Sequence, residues 1–125
     1  MFLKASYLNE FVHCFVMGFD FLGLVERSRA LNSKIVSLPR LLLLFSLGGF
    51  GEDGVAYREL KAGLKLNDGI LFSNLKVLEE MGFVRVYKNR EFNRELDVFT
   101  ITKEGGIALE RVRQWLKELS VVEVI

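Results

Sequence analysis

One cysteine, one histidine and one proline in 125 residues leave several kinds of protein out of reach. Cys14 alone closes no disulfide within the chain, and with His13 it makes too small a set for a thiolate or imidazole zinc site. The same scarcity excludes HExxH metal chemistry and histidine-rich metal sites, and no nucleophile stands out beside a base. The chain is therefore expected to be no enzyme and to hold neither metal nor cofactor. Charge of one sign is lacking too: 17 Lys and Arg face 16 Asp and Glu, a net charge of +1. Bulk charge thus argues for neither nucleic acid nor an anionic membrane, and any such partner must be read from placement. Nor is there a long apolar run. Phe11 to Val25 is interrupted by His13 and Asp20 and falls short of the about 20 residues that span a bilayer. Lys4 followed by Glu10, with no small-residue cleavage site, does not make a signal peptide. A cytoplasmic protein without a membrane partner is expected.

What is present is apolar and periodic. Half of the residues are hydrophobic, enough for one packed core in a chain of single-domain length. From Leu8, Phe11, Val12, Phe15, Phe19 and Leu22 recur at steps of three and four, which predicts an amphipathic helix. Its phenylalanines are too many to leave in water, and a second subunit is the favoured cover. Residues 26–40 turn polar, and Ser37 with Pro39 reads as the start of a helix through LLLLFSL that stops at Gly48 and Gly49. The following GGFGEDG lacks the Lys-Ser/Thr of a phosphate-binding loop and carries Glu52 and Asp53, so it reads as a plain turn. VAYRELKAGL places Val55, Leu60 and Leu64 around a short helix.

Asn67 or Asp68 then caps a helix with Leu71, Leu75 and Leu78 on its apolar face, and Gly82 closes it in a left-handed conformation. FVRVYKNRE and LDVFTIT alternate apolar and polar residues about a tip at Arg90 to Glu95, the pattern of a two-stranded hairpin. Thr102 caps a last helix whose stripe Ala108, Val112, Trp115, Leu119 and Val122 is close to a heptad seam. His13, Cys14 and Trp115 read as core or interface residues, not ligands.

The run YRELKAGLKLNDGILFSNLKVLEEMGFVRVYK, followed after the hairpin by FTITKEGGIAL, resembles the winged helix-turn-helix transcriptional regulators of the broad MarR and ArsR group, over roughly residues 37 to 120. LKVLEEMGFVRVYK is its most specific part. The resemblance implies an α+β, mainly α fold: a winged helix-turn-helix with a two-stranded β wing and extra N- and C-terminal dimerisation helices. Residues 1–36 would hold the N-terminal amphipathic helix and connector, 37–102 the DNA-binding core and 103–125 the C-terminal dimerisation helix.

By the same resemblance the recognition helix would enter the major groove of double-stranded DNA, and the wing would meet the backbone or minor groove. The DNA-facing residues would be Asn67, Gly69, Ile70, Phe72, Ser73 and Lys76 on or before the helix, and Lys88, Arg90, Asn93 and Arg94 on the wing. Phe11, Phe15, Phe19, Val112, Trp115 and Leu119 would form a homodimer interface. The resemblance leaves room for an unidentified small-molecule effector. Against DNA stand Asp68, Glu79 and Glu80 on the helix and Glu91 and Glu95 on the wing. The alternative is a winged-helix protein-protein interaction module without DNA binding.

Overall fold

The computed structural model describes residues 20–91 and 94–122. In chain order the elements are α1 (Phe21–Ser28), a 3-10 turn (Ser33–Ile35), α2 (Leu38–Phe50), a second 3-10 turn (Gly51–Asp53), β1 (Val55–Ala56), α3 (Tyr57–Leu64), α4 (Asp68–Glu80), β2 (Val84–Glu91), β3 (Arg94–Ile101) and α5 (Lys103–Leu119). They divide into a central unit, Asn32–Val112, and a terminal unit built from the segments on either side of it. The residues Phe11, His13, Cys14, Phe15 and Phe19 of the expected first helix lie outside the described residues, as does Asn93.

In the central unit the local signals act through named hydrogen bonds. The Ser37 hydroxyl accepts from the Arg40 N–H and Pro39 sits in the first turn of α2, where its missing N–H costs no hydrogen bond. Asn67, not Asp68, caps α4: its Oδ1 accepts from the Ile70 N–H at 2.8 Å. Gly82, at φ 77°, ends that helix with two backbone bonds, Gly82 N–H to the Glu79 carbonyl and Phe83 N–H to the Leu78 carbonyl, both 2.9 Å. That pairing satisfies two of the carbonyls a helix end leaves open, and it needs a residue that tolerates positive φ.

Two expectations about this region are corrected. Gly48 and Gly49 lie inside α2, which continues to Phe50 and is closed by Gly51 at φ 60°. Val55 is no part of the α3 helix; with Ala56 it forms β1, antiparallel to β3 in the register Val55 to Phe99 and Ala56 to Val98. The wing hairpin is therefore two strands of a three-stranded sheet in the order β1-β3-β2. Its two long strands pair without a break from Val84 opposite Ile101 to Glu91 opposite Arg94.

The core of this unit gathers Ile35, Leu43, Leu44 and Leu47 with Leu60, the α4 face Leu71, Leu75 and Leu78, Val84 and Phe99 from the sheet, and Leu109 and Val112 from α5. Each buried leucine removes apolar surface worth about 1.5 to 3 kcal/mol from water. The LLLLFSL run, apolar on nearly every face, reads from sequence as a central helix packed on several sides, but α2 is not covered all round: Leu38 is 71% exposed, and Leu42 and Phe45 also face solvent. Val112, expected in a dimer seam, is 1% exposed and belongs to the core of its own chain. The reason is geometric: it shares a face of α5 with Gly105 and Leu109, the part of the helix that packs on the sheet and α2.

Thr102 joins the two most recognisable stretches of sequence. Its N–H donates to the Phe83 carbonyl at 3.0 Å, its hydroxyl donates to the Gly82 carbonyl at 2.6 Å, and the same oxygen caps α5 by accepting from the Gly105 N–H at 3.0 Å. Gly105 lies so close to the preceding turn that an added Cβ would sit 2.2 Å from the Phe83 carbonyl oxygen. The EMGF and ITKEG segments are thus two halves of one joint.

In the terminal unit Asp20, read from sequence as a polar position within the first helix, is the N-cap of α1 and accepts from the Gly23 N–H at 2.8 Å. The Trp115 indole donates to the Leu24 carbonyl at 2.9 Å, so its polar group is used within the chain. Arg27 holds Glu118 through Nη2 at 2.5 Å and Nε at 3.2 Å.

Candidate nucleic-acid interface

α3 and α4 meet through a turn in which Lys65 takes a left-handed conformation, φ 55° and ψ 38°. Beyond it the α4 leucines at 71, 75 and 78 go into the core, and helical geometry sends Gly69, Phe72, Ser73 and Lys76 to the opposite side, spaced at three, four and seven residues. All four are exposed. Ile70, 41% exposed, lies at the edge of this stripe and not within it. Asn67 is exposed as well, with its Oδ1 committed to the cap.

Of the negative charges that count against this surface, that of Asp68 is paired within the fold. Asp68 Oδ2 accepts from Lys61 Nζ at 2.9 Å, and its Oδ1 accepts from the Tyr57 hydroxyl at 3.1 Å. These two hydrogen bonds, Lys61 first, hold the Asp68 carboxyl below its ordinary pKa. The Asp68 bond in turn raises Lys61, and Tyr57 is raised by burial and then by Asp68. Both charged groups are exposed, so the bond adds little to stability. Its effect is to tie the first helix of the pair to the start of the second. Residues Tyr57 and Lys61 escape a reading of the sequence, because only the fold brings them to Asp68. Arg40 is a similar case: its Nε donates to Asn74 Oδ1 at 2.9 Å and its Nη1 to the Lys34 carbonyl, fixing the flank of α4.

The wing residues are sorted by the pleat. Lys88 is opposite Asp97, and Arg90 is opposite Glu95, so these four share one face; Arg94 is in register with residue 91 and belongs to the other. Arg90 and Arg94, adjacent in the expected tip, are strand residues on opposite faces. Lys88 is also less free than its sequence position suggests, since its Nζ lies 2.5 Å from Asp97 Oδ1 and that bond raises its pKa. Beside this pair is a cavity of about 260 Å³ lined by Tyr57, Arg58, Lys88, Glu95 and Asp97. It carries charges of both signs.

A helix pair held by a clamp, an outward second helix and a hairpin beside it is the geometry of a winged helix-turn-helix. The family model described as winged helix DNA-binding domain matches residues 40–120. The chain belongs to that family. This winged helix is also similar to solved structures. A transcriptional regulator homologue from Pyrococcus horikoshii OT3 is 26% identical with a TM-score of 0.66, over 78% of this chain and 92% of that one. The MepR-DNA complex of S. aureus is 15% identical, TM-score 0.60, over 92% of this chain and 86% of MepR. YusO of Bacillus subtilis is 17% identical, TM-score 0.57, over 94% and 82%. At those lower identities the likeness is one of fold. No curated protein matches the winged-helix chain. Its fold is that of DNA-binding regulators and not of an enzyme. Among the described residues no group of three or more His, Cys, Asp and Glu could hold a metal ion, and no helix is long and apolar enough to cross a membrane.

Proposed function

We propose that the chain is a sequence-specific transcriptional regulator that binds double-stranded DNA as a homodimer in the cytoplasm, with α4 in the major groove and the wing on the backbone or minor groove. The observation that carries this reading is the α4 stripe Gly69, Phe72, Ser73 and Lys76, open to solvent on a helix whose other side is locked into the core. The family supplies the class of partner, and MepR, similar in fold, is known as a complex with DNA. Arg90 and Arg94 on opposite faces suit a hairpin flanked by two phosphate strands. Asn67, Gly69, Ile70 and Asn93 are adjoining contacts, and Lys88 joins them once Asp97 releases it.

The second chain would cover apolar side chains that one chain leaves exposed in the terminal unit, Leu22, Val25, Leu119 and Val121, together with Phe11, Phe15 and Phe19. Half-sites would then lie about one helical turn apart.

The test is selection from random DNA with the purified protein at moderate salt, followed by affinity measurements on the enriched sequence. Ser73→Ala with Lys76→Ala should leave the melting temperature nearly unchanged, since exposed substitutions cost under about 0.5 kcal/mol. The same pair should weaken binding to the selected operator by about 1 to 3 kcal/mol for each base-edge interaction removed. Failure of a folded protein to enrich any sequence would refute the proposal and favour a protein-binding module, the reading to which the exposed Leu38, Leu42 and Phe45 stripe of α2 lends weight.

A further inference from the structure

We infer that the winged helix reads thymine through Phe72: each operator half-site holds a thymine whose C5-methyl group packs against the exposed face of that ring. The inference rests on the DNA-binding reading and names the chemistry by which it selects sequence. α4 lacks the side chains that most often read bases. The helix, DGILFSNLKVLEE, contains no Arg and no Gln, side chains that most often make paired hydrogen bonds to guanine and adenine edges.

Its remaining polar groups are largely committed within the fold. Asn67 Oδ1 caps the helix, and Asn74 donates to the Ile70 carbonyl at 2.7 Å while accepting from Arg40. Asp68 is held by Lys61 and Tyr57, and the Ser73 hydroxyl donates to the Ile70 carbonyl at 3.2 Å.

What stays open on the outward stripe is Lys76, the acceptor side of the Ser73 hydroxyl and, as its one apolar side chain, the ring of Phe72, 60% exposed. Phe72 sits three residues after Gly69, which has no side chain to hold the groove floor away, and four before Lys76. A phenylalanine in a major groove gains nothing from the hydrogen-bonding edges of the bases. The thymine methyl is the apolar feature there, and burying it against the ring removes both from water. Lys76, one turn further on, is left for a guanine edge or a phosphate.

The experiment uses the operator obtained by selection, resynthesised with deoxyuridine in place of one thymidine at a time. That exchange removes the methyl and keeps every hydrogen-bonding group. The wild-type protein should lose about fourfold in affinity at one position in each half-site, the worth of one methyl group withdrawn from water. Phe72→Ala, which should melt with the wild type because the ring is exposed, should bind the thymidine and deoxyuridine operators equally. Phe72→Leu should keep part of the discrimination. Wild-type affinity unchanged by every deoxyuridine, or a penalty that survives in Phe72→Ala, would overturn the inference while leaving DNA binding intact. Failure to select any operator is a different outcome and overturns the DNA-binding reading on which this one rests.

Discussion

Gly105 and Gly106 stand side by side in the first turns of α5, and the fold makes opposite demands on them. A Cβ on Gly105 would lie 2.2 Å from the Phe83 carbonyl oxygen and 2.9 Å from Ile101 Cγ1, whereas one on Gly106 would meet nothing within 4 Å. Since ordinary contact begins near 3.4 Å, the Gly105→Ala variant must open the joint by about 1 Å. The obstacle is backbone, so no side-chain rotation relieves it. The opening strains the Thr102 bonds to Phe83 and Gly82, each worth about 0.5 to 1.5 kcal/mol, and adds an overpacking cost of about 1 to 3 kcal/mol. Against this stands about 1 kcal/mol of helix propensity gained by alanine. The net expectation is a loss of about 2 to 4 kcal/mol, or a melting temperature lower by roughly 10 °C. Gly106→Ala should instead gain about 0.5 to 1 kcal/mol. Thermal and urea unfolding followed by circular dichroism, at one protein concentration, measure both. A Gly105→Ala protein that melts with or above the wild type would show that the EMGF and ITKEG segments do not meet as described.

Two further outcomes follow from the ion pairs. Asp68 has a depressed pKa in the folded state, so its bond to Lys61 is present above the ordinary carboxylate range, near pH 4, and is lost as pH falls through the lower folded value. Asp68→Asn should therefore differ from the wild type in DNA affinity at neutral pH, and a wild-type affinity there would show that the clamp does not set the helix pair. Asp97→Asn should free Lys88 for phosphate, raising affinity for unrelated DNA sequences alike and steepening the slope of log affinity against log salt by roughly one; an unchanged slope would remove Lys88 from the interface.

Features that depend on neighbours in sequence were open to reading, and those that depend on distant partners were not. As helix caps, Ser37, Gly82 and Thr102 act on backbone groups within five residues, so residue type and spacing predict them correctly. For the α4 cap, sequence chemistry left Asn67 and Asp68 as equals; Tyr57 and Lys61, brought up by the fold, take Asp68 away. β1 could not be seen, because two residues become a strand only when Phe99 and Val98 offer them a ladder. The same holds for the wing: composition groups Arg90 and Arg94, and only the register parts them. Gly48 and Gly49 look like a helix end, yet Gly48 serves as a small residue beneath Leu109, where a Cβ would find Cδ2 at 3.3 Å. At Gly48 that packing overrides the weak helix propensity.

Tyr57 touches three elements at once. It begins α3, its hydroxyl reaches Asp68 at the head of α4, and its ring lies 6.3 Å from that of Phe99 on β3. α4 and the wing are thus linked through Tyr57 in the folded chain, so the entropy of ordering them relative to each other is spent during folding and not at association with a partner. On the DNA-binding reading proposed above, a protomer linked in this way would resist spreading its helix and wing to follow a distorted duplex. The spacing between major-groove floor and neighbouring phosphates would then become a gauge, by which sequences of unsuitable groove width would be rejected at base pairs that no side chain touches.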